Sequence, residues 1–291
     1  MGRDRPGRLQ PLSDSCDPAG RADAGGHPDG LWDRFADLPR PGRFGADHRA
    51  ARDRRPSQPG RPCRLRSEVR PAPVRRDRQA SHFVAAGDHG AYDCGPNRPP
   101  SVDFPSALPT VTSVGGTTMF QTPQGTYQKE AAWGNPISEA GTGGGLSQHF
   151  KRPAYQKGPG VDNQFSNGNR QVPDVAAVAD QNTGYHVVLG GRDHQIGGTS
   201  AAAPLWAAVT ALIDQDFQKR GLKPVGFANP ALYWMAQNGS QLPSPPFHQV
   251  TEGNNLAYLA APGWNYCTGL GSLQAGALES AFEAYQRQGG A

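Results

Sequence analysis

Five residue types vanish together from the first eighty positions. Ile, Lys, Asn, Thr and Tyr are all absent from residues 1–80, and all five return between Tyr92 and Ile137. The early segment carries 18 Arg and 11 acidic residues, with Pro, Ala and Gly filling most of the rest. It holds no alternation of apolar and polar residues for a strand, and no apolar stripe at helical spacing. The missing residues are chemically unlike one another and share only AT-rich codons. Loss of all five is the pattern expected when GC-rich DNA is translated in the wrong frame or from a mis-called start. Two other readings stand beside it: a disordered basic tail, and an arm that binds nucleic acid. The last needs aromatic rings near the cations, yet Trp32, Phe35 and Phe44 lie away from the Arg-dense stretch 61–78. Residues 1–80 are therefore expected to be unstructured, with no nucleic-acid partner, and the fold is sought in 81–291.

The charge divides at the same point. Residues 1–80 carry a net +7, residues 81–291 a net −3, and the whole chain +4. No run reaches the roughly 18 apolar residues that a membrane helix needs, so no membrane partner is expected. The start, MGRDRPGRLQ, lacks the apolar core of a signal peptide. Four Cys are too few for a disulfide scaffold. Cys16 and Cys63 fall in the anomalous segment, and whether Cys94 pairs with Cys267 is left open by the sequence.

From Ser81 the pattern is that of a folding chain. His82-Phe-Val-Ala-Ala86 is a short apolar run that ends in Gly87-Asp-His-Gly90, a strand entering a turn. Thr110–Val114 before Gly115-Gly116, and Tyr185–Leu189 before Gly190-Gly191, repeat the pattern. Apolar residues at 205, 206, 209, 212, 213 and 217 predict a helix with one apolar face, closed at Gly221. Pro204 is tolerable there as a residue of the first turn. Strands alternating with helices and glycine turns predict an α/β layered domain with a mainly parallel sheet. Sites in such sheets form beyond the C-terminal ends of the strands.

Three polar residues occupy such places. Ser200 stands between Gly197-Gly-Thr199 and the apolar helix, where a helix N-terminus favours nearby negative charge. The position suits a nucleophile, and equally an N-cap serine. Asp88 is a turn aspartate or a functional carboxyl, with His89 beside it as a candidate base. Asp174, in Val172-Pro-Asp-Val175, is a buried hydrogen-bonding carboxylate or a helix cap.

Read in order, the segments Phe83–Gly90, Phe104–Thr118, Gly143–Ser147, Arg152–Gln156, Val172–Asp180, Gly197–Ala207 and Pro262–Ser272 resemble the sedolisins, the serine-carboxyl peptidases. The resemblance implies a subtilisin-like fold, a parallel sheet flanked by helices, over 81–291. It implies Ser200 as nucleophile, peptide or protein substrates, export from the cell and a monomer. Subtilisins share Gly-Thr-Ser-Ala, but they use a histidine base in a His-Gly-Thr-His-like motif, which is absent here. They also place Asn at the oxyanion position, where this chain has Asp88. A carboxyl group helps an oxyanion only when protonated, which points to chemistry in acid.

Two departures follow. The family's base is a Glu with an Asp four residues later on one helix, upstream of the Asp88 turn. Here the only upstream Glu is Glu68, position 72 is Ala, and Pro71 intervenes. The chain as written is therefore expected to lack its base, and a catalytically inactive pseudo-peptidase is the alternative to an active enzyme. The resemblance also implies a calcium site at Gln249, Val250, Ala261, Gly263 and Asn265. Its usual carboxylates fall at Gln249 and Asn265, and losing two negative charges weakens calcium binding. A glycine-rich turn held by its own hydrogen bonds is the other reading of that loop.

Overall fold

The computed structural model describes residues 80–95 and 99–289. The expectation for the segment before residue 80 lies outside the described residues.

In chain order the strands are β1 (Phe83–Ala85), β2 (Thr112–Gln121), β3 (Tyr127–Ala132), β4 (Gly134–Asn135), β5 (Ala140–Gly141), β6 (Gly145–Lys151), β7 (Asn169–Val172), β8 (Val175–Val178), β9 (Tyr185–Leu189) and β10 (Arg192–Ile196). Then come the helices α1 (Thr199–Lys219) and α2 (Asn229–Gln237), the short strands β11 (Phe247–His248) and β12 (Ser272–Leu273), and the helix α3 (Ala275–Arg287). The main sheet runs β1-β2-β8-β12-β11, with β3 paired to the far end of β2. The pairs β1–β2, β2–β8 and β8–β12 are parallel, and β3 and β11 join antiparallel. This is the expected mainly parallel sheet with helices.

Helix α1 is fixed to the sheet by one side. Ala202, Ala203, Trp206, Thr210, Ile213 and Phe217 are buried, at the three-to-four-residue spacing of a single face. Trp206 is fully buried; its Nε1–H donates to the Ala176 carbonyl of β8 at 2.9 Å, and its ring stacks on Phe83 of β1. Leu212, predicted on this face, is instead exposed. The helix ends as Gly221 predicts. Gly221 has φ +71, its N–H donates to Gln218, and the Leu222 N–H reaches back to Phe217. That closure satisfies carbonyls the last turn would leave open. Pro204 lies inside the helix rather than in its first turn, so the Ser200 carbonyl has no N–H donor four residues ahead.

Two readings of glycine pairs are corrected. Gly115 and Gly116 do not end a strand, because β2 continues through both to Gln121. Their role is close approach. A Cβ on Gly115 would lie 2.8 Å from Pro173 and from Thr142, and one on Gly116 would lie 2.5 Å from the Ala179 Cβ. The run Tyr185–Leu189 is not a buried sheet strand. It pairs only with β10, in an antiparallel hairpin that leaves Val187, Val188, Leu189 and Ile196 exposed. Gly190 and Gly191, both at positive φ, form its tip.

Candidate active site

Two residues past β1 stands Gly87, whose φ of +110 and crowded Cα both exclude a side chain; a Cβ there would lie 2.4 Å from the Asp93 carboxyl oxygens. The chain turns sharply and presents Asp88 to the start of α1. Asp88 Oδ1 accepts the Thr199 N–H at 2.7 Å and the Thr199 hydroxyl at 2.7 Å. The same hydroxyl accepts the Gly87 N–H at 3.2 Å. A buried threonine at the first helical position thus ties the end of β1 to the N-terminus of α1, where a carboxylate is favoured by the open N–H groups. Gly198 makes room, with φ +86 and a Cβ position 2.8 Å from Asp88 Oδ2.

Ser200 follows at the second helical position and is exposed. Its hydroxyl has no hydrogen-bond partner among the described residues. The Asp88 carboxyl therefore comes to the helix turn that carries Ser200 while bonding Thr199. His89 does not join them. Its side chain is 73% exposed and its Nδ1 lies 4.0 Å from Asp93.

The Asp88 turn is braced by glycine backbone. Gly141 N–H donates to the Asp88 carbonyl and Gly143 N–H to the Gly87 carbonyl, both at 2.8 Å. A Cβ on Gly143 would lie 1.9 Å from the Ala86 carbonyl oxygen, and one on Gly144 would lie 1.9 Å from that of Tyr266. From Gly145 the chain continues as β6 into an open cleft of about 410 Å³, lined by Pro100, Leu146, Ser147, Gln148, Asn167 and Tyr258.

Behind the turn stands Asp93, a residue that sequence reading missed. Burial pushes its carboxyl up to about 8, helped by the charges of Asp103 and Asp88 and opposed by the His89 N–H. Asp103 is raised as well, mainly by burial. Asp93 Oδ2 is buried without a hydrogen-bond partner among the described residues. Nothing in Ala91-Tyr-Asp-Cys94 marks this aspartate as buried, since the surrounding residues carry no strand or helix period.

Asp174 is the buried carboxylate of the two readings. Its Oδ2 accepts the Ser113 N–H at 2.8 Å, its Oδ1 accepts the Tyr233 hydroxyl at 2.8 Å, and Arg170 pairs with both oxygens. Both side chains are fully buried, and the pairing carboxylate holds the guanidinium firmly charged against the cost of burial. The group joins β2, β7 and α2. Cys94 and Cys267 are both free, so they do not pair. Burial pushes the Cys267 thiol up to about 12.

Gln249, Val250, Ala261, Gly263 and Asn265 do come together, but their donor set does not fit calcium. Asn265 Nδ2 points at the Val250 and Ala261 carbonyls, and Gln249 Oε1 accepts the Gly263 N–H. Among the described residues no group of three His, Cys, Asp or Glu side chains could hold a metal ion. No described helix is long and apolar enough to cross a membrane.

The family model for subtilases matches residues 53–236. The chain belongs to the subtilase family. The match starts upstream of Ser81, in residues outside the description. Within the family the chain is similar to kumamolisin of Bacillus sp. (strain MN-32), with 45% identity over 199 residues, 65% of this chain and 34% of that protein. Sedolisin of Pseudomonas sp. (strain 101) is 34% identical over 222 residues, 71% of this chain and 35% of that protein. The chain thus spans about a third of the length of these curated relatives. A solved Pseudomonas sedolisin, described as a serine-carboxyl proteinase complexed with two molecules of pseudo-iodotyrostatin, superposes with a TM-score of 0.61 at 33% identity. That match covers 73% of this chain and 57% of the other. The sedolisin resemblance and the subtilisin-like fold, first read from the ordered motifs of this subtilase, are borne out.

Proposed function

We propose that residues 81–291 form the C-terminal part of a serine-carboxyl peptidase domain that hydrolyses peptide bonds in acid as an endopeptidase. Ser200 is the nucleophile and Asp88 the acid that stabilises the oxyanion. The observation that carries this is the double hydrogen bond from Thr199 to Asp88 Oδ1, at the start of the helix whose next residue is the exposed Ser200. With Oδ1 held by two donors, a proton on Asp88 belongs on Oδ2. A carboxylic acid so oriented can donate to the oxygen that becomes negative when Ser200 adds to a peptide carbonyl. Backbone N–H groups at the helix N-terminus assist. The cleft beyond Gly145 is where a peptide substrate would lie. Secretion and a monomeric state follow from the family reading alone.

The base is the weak point. A serine hydroxyl needs a group to take its proton, and that of Ser200 bonds to none of the described residues. Losing a general base costs ~10²–10⁴ in rate. The chain as written is therefore expected to have negligible peptidase activity, and a non-catalytic remnant able only to bind peptides is the second reading. The test is an assay of the full chain in acid on a broad peptide library, with Ser200→Ala as control. A second arm uses a version carrying an upstream segment that supplies a Glu and an Asp four residues apart. Activity in the second arm alone, lost with Ser200→Ala, supports the proposal. Cleavage that survives Ser200→Ala in either arm would refute Ser200 as nucleophile, and Ser200-dependent cleavage by the chain as written would refute the missing base.

A further inference from the structure

We propose that the side-chain amide of Asn265 stands in for a cation between the 249–251 and 261–269 loops, so that this part of the fold is tied without metal. Two carbonyls, of Val250 and Ala261, converge on one point from different loops. Oxygens that converge in this way need an electropositive partner, either a metal ion or N–H donors. Here the partner is Asn265 Nδ2, at 3.2 Å from Val250 O and 3.0 Å from Ala261 O.

The orientation of the amide is dictated by its other end. Asn265 Oδ1 accepts the N–H groups of Cys267 and Thr268, each at 3.0 Å, and the Thr268 hydroxyl at 3.2 Å. Turned over, the NH₂ would face two N–H groups and the oxygen would face two carbonyls, so only the Thr268 hydroxyl could still pair with the side chain. Asn265 is buried, and its backbone pairs with Gly269 in both directions, so the side chain is held from both sides. At the rim the Gln249 oxygen is engaged as well, its Oε1 accepting the Gly263 N–H at 2.8 Å. The side-chain oxygens of Gln249 and Asn265 are thus both already accepting hydrogen bonds. Calcium prefers six to eight oxygens at close range, with carboxylates among them.

A carboxylate cage loses its ion as acid protonates it, whereas a carboxamide does not titrate. The tie at Asn265 therefore has the same strength in acid and at neutral pH. The inference stands on the loop geometry and holds whether or not the chain hydrolyses peptides.

The test uses the full chain, melted in chelator and in millimolar calcium, with calcium binding followed by titration calorimetry. The wild-type chain is expected to melt at one temperature in both and to bind no calcium. Asn265→Asp turns a carboxylate oxygen toward two carbonyls. It is expected to melt ~2–8 °C lower in chelator, and to recover in calcium. Gln249→Asp combined with Asn265→Asp should bind one calcium per chain. Asn265→Ala should melt low in both conditions, since nothing then replaces the donor. Stoichiometric calcium on the wild-type chain, or a melting temperature that falls on chelation, overturns the proposal. So does an Asn265→Asp chain that melts in chelator like the wild type. If Asn265→Asp fails to fold in either condition, the wild-type comparison and Asn265→Ala still decide the matter.

Discussion

Replacing Asp93 by Asn should abolish most of the pH dependence of folding stability between acid and neutral conditions. The Asp93 side chain is 5% exposed, packed against Gly87 with one oxygen unpartnered among the described residues, and its carboxyl is pushed from 3.8 up to about 8. Below pH ~4 both the folded and unfolded chains hold this proton, and Asp93 contributes no pH dependence. Between pH ~4 and ~8 the unfolded chain has released it while the folded chain retains it, so stability falls as pH rises. At ~1.4 kcal/mol per pH unit the loss reaches ~5 kcal/mol, a large part of the 5–15 kcal/mol that a domain possesses. Above pH ~8 the curve is flat again. Asparagine keeps the shape and carries no proton to lose. Urea denaturation followed by tryptophan fluorescence, repeated from pH 4 to pH 8, measures the difference. The two proteins should be close at pH 4, and Asp93→Asn should be several kcal/mol more stable at pH 8. Asp103, also raised, adds a fall of the same sign to both proteins. Parallel curves for wild type and variant would show that Asp93 titrates normally in the fold, and the reasoning from its burial would be wrong. The direction matters for the proposed chemistry, because the Asp88 turn is then firmest in acid.

Two further substitutions test the frame around the site. Asp174→Asn keeps the shape of the side chain but strips the fully buried Arg170 of its counter-charge, and should cost ~3–5 kcal/mol in denaturant titration. Gly116→Ala puts a methyl 2.5 Å from the Ala179 Cβ in the middle of β2, and should cost ~1–3 kcal/mol by overpacking. Adding Ala179→Gly should return much of that loss, which a turn glycine would not predict.

Residues that combine a local signal with a backbone requirement were legible in the sequence. The helix of Ser200 announced itself by its apolar spacing and by Gly221, and its closing turn lies where Gly221 puts it, although it starts at Thr199, early enough that Pro204 falls past the first turn. Phe83–Ala85 running into Gly87-Asp88 was legible for the same reason. Gly115-Gly116 misled because glycine is ambiguous. It permits positive φ, and it also permits close backbone approach, and only the neighbours Thr142, Pro173 and Ala179 decide which. Tyr185–Leu189 misled because a short apolar run carries no information about which sheet it joins. Asp93 and Arg170 were invisible for a third reason. Their burial is created by segments distant in sequence, and a single charged residue in a polar stretch has no period to betray it.

The glycines around the Asp88 turn have a consequence for how such a chain can drift. At Gly143 and Gly144 the space for a side chain is filled by the carbonyls of Ala86 and Tyr266, and at Gly160 it is filled by Trp264. These positions answer to packing whether or not any bond is ever cut. In a copy released from selection for catalysis but still required to fold, Ser200 is free to change at once, since it is exposed and bonds to nothing described. The glycines are not. The motifs that make this chain recognisable are therefore a record of architecture. Among future variants of the sequence, only Ser200 and the donor set around Asp88 can tell a working peptidase from a preserved shell.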